Sequence, residues 1–120
     1  MPRTVLIVDD HAGFRGFARR LLEAGGYAVV GEAEDGASAI EAADALRPQL
    51  VLLDVFLPDT DGFAIARRLA ESGNGAIVVL TSSREAEDFG ARLAGSRARG
   101  FIHKDDLSGA ALESVAGAAP

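Results

Sequence analysis

The chain alternates five times between short apolar segments and segments with helical periodicity. The first apolar segment, Thr4–Val8, is rich in β-branched residues and predicts a buried strand. From Phe14 to Leu22, apolar residues then recur every three or four positions, as on one face of a helix. The pattern continues with strands predicted over 27–32, 50–53, 76–80 and 100–103. Nearly continuous apolar strands indicate burial on both faces, so we expect an α/β fold with a doubly wound parallel sheet.

The predicted helices are bounded by residues that stop or start helices. Gly25–Gly26 ends the first helix, and Pro48 ends the second because the residue before proline disfavours helix. Ser83 is the predicted N-cap of the fourth helix, and Asp105 or Asp106 that of the fifth. After the first helix, the others are predicted over 37–46, 63–72, 84–94 and from the Asp105 region to about 116.

Length and composition narrow the function classes. The 120 residues suit one domain, predicted over 1–120, with 48% apolar and 25% charged residues. The absence of cysteine excludes disulfides and thiolate metal sites, and two histidines cannot build a histidine-rich zinc site. No apolar run approaches the roughly 20 residues of a membrane span, so we expect a cytoplasmic protein without a membrane partner. The net charge of −6 argues against direct nucleic-acid binding.

Polar side chains follow four of the five predicted strands. They are, in chain order, Asp9 and Asp10, Asp54, Thr81 and Lys104. Ligands of open parallel sheets bind at the carboxyl ends of the strands, so these side chains are expected to converge on one edge. Glu32, which ends the second strand, is interpreted as a surface residue.

The converging residue types suit phosphate chemistry. Carboxylates held close together repel one another, so three of them need a cation, and oxygen ligands favour Mg²⁺ over zinc. A carboxylate such as Asp54 can act as a nucleophile and form an acyl phosphate. Lys104 can neutralise a phosphoryl group and Thr81 can donate a hydrogen bond to it. Each residue alone has a structural interpretation, with Asp10 as a helix cap for example; their joint position favours the chemical one.

Four segments make the sequence recognisable. VLIVDDHAGFR, LLDVFLPDTDGF, VVLTSS and GFIHKDDL closely resemble, in order and separation, the motifs of response-regulator receiver domains of two-component systems. The resemblance runs from Arg3 to about Gly117 and is closest to the branch usually joined to LuxR-type helix-turn-helix output domains. It implies a flavodoxin-like (βα)5 fold with strand order 2-1-3-4-5.

The resemblance implies a magnesium site. Its protein ligands would be the carboxylates of Asp9, Asp10 and Asp54 and the backbone carbonyl of Phe56. Phe56 replaces a polar residue that some receivers carry, so we predict slow self-dephosphorylation. Asp105 stands where many receivers have a proline after the lysine, so a trans peptide bond is expected there.

The resemblance also implies a phosphorylation switch rather than an enzyme acting on other molecules. Asp54 would be the phosphoacceptor, with Thr81 and Lys104 contacting the phosphoryl group, and Phe101 would be the aromatic switch residue. The donor partner would be a sensor histidine kinase or a phosphotransfer protein. The surface of the fourth helix, fifth strand and fifth helix, 84–115, would bind an unknown downstream partner or form a phosphorylation-dependent homodimer.

Three alternative functions stay open. The first is an enzyme, such as a phosphatase with an aspartyl-phosphate intermediate. Such a phosphatase typically has a second acid two residues after the nucleophile, and Phe56 at that position argues against it. The motifs GxxxxGK[ST] and GxGxxG of nucleotide-binding proteins are both absent. A receiver-like interaction module that is never phosphorylated is a second alternative. The third is the regulatory half of a DNA-binding transcription factor, since the sequence stops at Pro120 without an output domain.

Overall fold

The computed structural model describes residues 2–73 and 75–117. Its centre is one sheet in which every pair of neighbouring strands is parallel, in the order β2-β1-β3-β4-β5. The strands are β1 (Thr4–Val8), β2 (Ala28–Ala33), β3 (Leu50–Asp54), β4 (Ile77–Ser82) and β5 (Gly100–His103). The predicted fold class and strand order are therefore confirmed, with strand bounds within two residues of the predicted ones.

Each strand is followed by a helix. The helices are α1 (Ala12–Ala24), α2 (Gly36–Leu46), α3 (Gly62–Glu71), α4 (Ala91–Ala94) and α5 (Gly109–Ala116). Short 3₁₀ turns over Ala86–Asp88 and Lys104–Asp106 precede α4 and α5. The predicted break at Gly73–Gly75 includes Asn74, which lies outside the described residues, as does the 118–120 end of the sequence.

The sheet has a hydrophobic core on each face. Val5 and Ile7 of β1 face one side, where they join the core of α1 and α5. Leu6 and Val8 face the other side, where they join the core of α2 and α3. This alternation, with side chains buried on both faces, explains why the strands read as continuous apolar runs.

The predicted fourth helix over 84–94 is wrong in extent. In place of a continuous helix, the segment forms a 3₁₀ turn and then the four residues of α4. Gly90 lies between them with φ of +54°, a left-handed conformation that ends helical propagation. The Ser83 cap is also wrong: the hydroxyl of Ser82 accepts the hydrogen bond from the Arg84 N–H instead, at 3.1 Å.

The predicted N-cap of the fifth helix is wrong by two or three residues. Asp105 and Asp106 belong to the 3₁₀ turn, and Ser108 is the N-cap of α5. Its hydroxyl accepts a hydrogen bond from the Ala111 N–H at 2.9 Å, as an N-cap serine does. The peptide bond after Lys104 is trans as predicted, since the described residues contain no cis peptide. No helix among them is long and apolar enough to cross a membrane.

Candidate functional site

Asp9 is fixed at the carboxyl end of β1. It is completely buried, and its N–H donates to the carbonyl of Ala33, beside the end of β2, at 3.0 Å. Its Oδ1 accepts a hydrogen bond from the His11 N–H at 2.8 Å. Burial alone would raise the pKa of Asp9, but the Lys104 ammonium and the His11 amide lower it below its ordinary value. Asp9 is therefore an ionised carboxylate inside the protein.

Asp54 is the last residue of β3 and is 3% exposed. Its Oδ1 accepts a hydrogen bond from the Phe56 N–H at 3.1 Å. Burial and the negative charge of Asp9 raise the pKa of Asp54 to about 6. Gly62 lets α3 begin against this strand end, because a Cβ at that position would lie 2.5 Å from the Asp54 carbonyl oxygen. Gly62 is therefore required by packing at this position.

Lys104 reaches back from the end of β5 to both carboxylates. Its Nζ lies 2.7 Å from Asp9 Oδ2 and donates to Asp54 Oδ2 over 3.2 Å. The same ammonium lies 4.4 Å from the centre of the Phe14 ring, which adds a cation–π contact from α1. Burial would lower the pKa of Lys104, but the two carboxylates raise it above its ordinary value. The Lys104 ammonium therefore neutralises part of the negative charge of Asp9 and Asp54.

Thr81 stands beside Asp54 in the parallel register of β3 and β4. It is completely buried, and its hydroxyl oxygen has no hydrogen-bond partner among the described residues. An unpaired buried hydroxyl is costly, so its presence at a polar site indicates a ligand or a second conformation that pairs it. The sheet thus brings Thr81, Asp54 and Lys104 together as the sequence predicted.

The exposed Asp10 completes an acidic cluster with the buried Asp9 and Asp54. One ligating atom from each of Asp9, Asp10, His11 and Asp54 lies within 4.8 Å of the others. The described partner of the buried Asp9 Oδ2 is the Lys104 ammonium at 2.7 Å. Three carboxylates this close together carry more negative charge than one lysine neutralises, and their hard oxygen ligands fit a divalent cation such as Mg²⁺.

His11 also belongs to this cluster, although no role was predicted for it. Its Nδ1 lies 3.0 Å from Asp9 Oδ1 and 3.1 Å from Asp10 Oδ1. The only available signal was its place directly after the two acids.

Phe56 and Phe101 are linked through a third aromatic residue. Phe56 is 48% exposed, and its ring lies 5.9 Å from that of Phe89. Phe101 is partly buried, with its ring 5.8 Å from Phe89 on the other side. Phe89 itself is buried against Phe63 at 5.6 Å. Phe89 therefore belongs to the hydrophobic core.

Two polar networks near the site were not predicted. Glu32 is exposed, as predicted, and its carboxylate is paired with Arg15 and Arg19. His103 joins the loop after β4 to the turn after β5: its Nε2 lies 2.9 Å from the Ser83 carbonyl, and its Nδ1 accepts from the Asp105 N–H at 3.1 Å. The available signal for the first network was two arginines four residues apart, before an acid at a strand end.

These observations define a class of protein: a small doubly wound α/β domain with a buried acid pair and a lysine at the carboxyl edge of its sheet. Residues 5–114 match the response regulator receiver domain family. The chain belongs to this family and is a receiver domain of a two-component response regulator. The resemblance of the motifs is thereby confirmed.

Transcriptional regulators are among its relatives. The nitrate/nitrite response regulator protein NarL of Escherichia coli K12 is 37% identical over 122 residues, covering 97% of this chain and 56% of that protein. The transcriptional regulatory protein PdtaR of Mycobacterium tuberculosis H37Rv is 43% identical over 82 residues, covering 68% of this chain and 40% of that protein. The chain thus spans about half the length of the curated relatives it matches.

Solved structures agree with the fold. A two-component response regulator of the LuxR family from Aurantimonas sp. SI85-9A1 superposes with a TM-score of 0.86 at 27% identity. The alignment covers 98% of this chain and 88% of that one. The branch that the sequence motifs indicated is therefore represented among its structural relatives.

Proposed function

We propose that Asp54 is the phosphoacceptor of this receiver domain. The supporting observation is its environment: a carboxylate at a strand end, in hydrogen-bond contact with Lys104 and beside the unpaired hydroxyl of Thr81. A carboxylate oxygen attacks the phosphorus, and the bond from phosphorus to the donor breaks with its electron pair going to the leaving group. With a phosphohistidine donor, the leaving atom is an imidazole nitrogen.

Charge neutralisation is the main demand of this transfer. The phosphoryl group brings about −1.5 to −2 charges to a site that already holds Asp9 and Asp10. Lys104 covers part of that charge, and Thr81 donates its hydroxyl hydrogen to a phosphoryl oxygen. Thr81 stands beside Asp54 on the neighbouring strand, and Lys104 already contacts the Asp54 carboxylate.

A divalent cation completes the proposed site. Asp9, Asp10, Asp54 and the Phe56 carbonyl would hold it, and bound Mg²⁺ supplies positive charge that Lys104 alone cannot. Lys104 lies in the negative field of Asp9 and Asp54. We therefore expect Lys104 to shift toward the phosphoryl group when the cation takes over the Asp9 charge.

The proposed partners follow from the family. A sensor histidine kinase or a phosphotransfer protein would donate the phosphoryl group, in the cytoplasm. The output would be the α4-β5-α5 surface, where Phe101 meets Phe89, bound to a downstream partner or to a second copy. The relatives named as transcriptional regulators favour a regulatory role in transcription, with DNA contacted by a segment other than this acidic domain, 1–120.

Intact mass spectrometry tests the phosphoacceptor. The chain is incubated with Mg²⁺ and a small acyl-phosphate donor, and a gain of one phosphoryl group is expected. Asp54→Asn and addition of a chelator are each expected to abolish that gain, whereas Asp44→Asn, an exposed acid on α2, leaves it unchanged. Absence of any gain with several donors would favour the alternative of an interaction module that is never phosphorylated.

The rate of phosphate loss tests a second feature. Phe56 offers no polar side chain to orient an attacking water, so the aspartyl phosphate is expected to persist for minutes or longer. Following the phosphorylated mass over time after donor removal measures this directly. Loss within seconds contradicts the expectation.

A further inference from the structure

Arg15 holds the turn that carries Asp9 and Asp10. Its Nη1 donates to the backbone carbonyl of Asp9 at 2.7 Å, and its own N–H donates to the carbonyl of His11 at 3.1 Å. One residue of α1 therefore bonds to the backbone on both sides of Asp10. The side chain is mostly buried, which favours a single orientation of the guanidinium.

Glu32 in turn orients Arg15. Its Oε1 accepts from Arg15 Nε at 3.0 Å and its Oε2 accepts from Arg19 Nε at 2.8 Å. The pKa of Glu32 is lowered, mainly because Arg19 and Arg15 stabilise its charged form. The planar guanidinium of Arg15 thus has one edge on Glu32 and another on the Asp9 carbonyl, a two-sided arrangement that a lysine cannot reproduce.

Arg19 provides an internal comparison. It lies one helical turn from Arg15 and binds the other carboxylate oxygen of Glu32. Its Nη1 also donates to the Val29 carbonyl at 3.3 Å and forms an ion pair with Glu23. None of these contacts involves Asp9 or Asp10. Both arginines therefore share the salt bridge to Glu32, and only Arg15 connects that salt bridge to the site.

We propose that Arg15, oriented by Glu32, is a positioning residue that fixes the backbone of Asp9 so that Asp9 and Asp10 are presented to a divalent cation. The inference rests on the proposed function insofar as that cation is Mg²⁺. It assigns a role to a residue that touches neither the cation nor the phosphoryl group. Residues that orient metal ligands commonly matter for metal affinity almost as much as the ligands.

Substitution of Arg15 would change the Mg²⁺ affinity in one direction if only its charge matters and in the opposite direction if its positioning role matters. Arg15→Gln removes a positive charge near a cation site, so electrostatics alone would tighten Mg²⁺ binding, more at low salt than at high salt. Loss of positioning would weaken binding at every salt concentration. Arg19→Gln removes the same charge and the same Glu32 pair, and it leaves the bond to Asp9 intact.

The experiment compares Arg15→Gln, Arg19→Gln and Arg15→Lys with the wild-type chain. Mg²⁺ dissociation constants are measured by calorimetry at low and high salt, and amide hydrogen exchange of Asp9 and His11 is measured in metal-free protein. We expect Arg15→Gln to weaken Mg²⁺ binding roughly tenfold and to speed exchange at both amides. Arg15→Lys is expected to restore little of either, and Arg19→Gln to match the wild type.

Three outcomes would overturn the positioning role. They are tighter Mg²⁺ binding by Arg15→Gln, equal effects of Arg15→Gln and Arg19→Gln, and unchanged exchange at Asp9 and His11. Melting temperatures distinguish a general loss of stability from a loss of positioning. Arg15→Gln and Arg19→Gln each lose one ion pair with Glu32, so the two variants should have similar melting temperatures. If wild-type protein binds no Mg²⁺, the proposed function fails, and the exchange data still decide whether Arg15 fixes the turn.

Discussion

The two sides of the carboxyl edge of the sheet are stabilised in different ways. We call residues 9–15 and 54–62 the acidic side and residues 83–95 the aromatic side. On the acidic side, backbone groups are held by polar bonds, such as Arg15 to the Asp9 carbonyl and the Gly62 N–H to the Val55 carbonyl at 2.7 Å. The aromatic side is held chiefly by one buried ring, Phe89, between its aromatic neighbours.

This difference separates a rigid part from a part that can change conformation. A chemical site needs fixed ligands, and directional hydrogen bonds supply them. A switch needs an element with two arrangements of similar free energy, and a short helix interrupted by Gly90 and anchored by packing suits that requirement. The acidic side is therefore expected to resist substitutions in the aromatic side, and each prediction below tests that separation.

The largest effect is expected from removing the ring that anchors the aromatic side. Phe89 is 7% exposed and contacts Phe56, Phe63 and Phe101, so Phe89→Ala should lower the free energy of unfolding by about 3 kcal/mol. Phe17→Ala, at a 47% exposed ring on α1, should cost less than about 1 kcal/mol. Urea denaturation of both variants measures the difference.

The same variant tests whether the two sides are separate. Hydrogen exchange in Phe89→Ala should increase over residues 83–95 and stay unchanged at Asp9 and His11. Equal increases on both sides would show that the acidic side depends on the aromatic packing.

Sequence reasoning succeeded on the acidic side for physical reasons. The strands are continuous apolar runs, so their ends are easily located, and parallel topology places the residues after β1, β3, β4 and β5 on one edge. The site residues Asp9, Asp54 and Lys104 therefore followed from position alone. The Glu32 network was missed because pairing with Arg15 depends on the register of β2 beside β1, which local pattern does not give.

The aromatic side was predicted less well because its sequence is ambiguous. Phe89 and Leu93 lie four residues apart, which is helical spacing, so a continuous helix was the natural prediction. The left-handed Gly90 breaks that helix and allows Phe89 to pack between Phe56 and Phe101. An isolated glycine is tolerated in some helices, so Gly90 alone did not distinguish a continuous helix from a broken one.

The next effect concerns the buried charge of Asp54 in metal-free protein. Its pKa is raised from 3.8 to about 6 by burial and by Asp9, so the folded state binds more protons than the unfolded state between pH 4 and 6. Stability from this group therefore falls as pH rises through that window. Asp54→Asn removes the free-energy cost of holding this buried carboxylate ionised. The variant should therefore be more stable than the wild type at pH 7 by on the order of 2 kcal/mol.

The pH profile distinguishes this from a general stabilisation. With chelator present, the stability difference between Asp54→Asn and the wild type should be small at pH 4, grow to pH 6 and level off above pH 7. The lowered pKa of Asp9 and the raised pKa of Lys104 place their titrations below and above this window. A difference that is constant from pH 4 to 7 contradicts the assignment of the raised pKa to Asp54.

A smaller effect is expected at the glycine that interrupts the fourth helix. Gly90→Ala forces a Cβ into a backbone with φ of +54° and should cost about 1 kcal/mol, although no atom would obstruct the new methyl group. Gly13→Ala is the matched control within α1, where φ is not left-handed and the space is also open. It should stabilise the protein by up to about 1 kcal/mol. Thermal denaturation reports the opposite signs, and a stabilising Gly90→Ala would mean that a continuous fourth helix forms.

The smallest effect tests the polar connection between the two loops beside the site. His103 bonds to the Ser83 carbonyl and accepts from the Asp105 N–H, so His103→Phe should cost about 1 kcal/mol and speed exchange at the Asp105 amide. Glu85→Gln is the control, because that exposed carboxylate lies 3.6 Å from the same ring and exposed ion pairs contribute little. If Glu85→Gln has the larger effect, charge rather than hydrogen bonding joins the loops. If His103→Phe also speeds exchange at His11, the aromatic and acidic sides are coupled through the turn that carries Lys104.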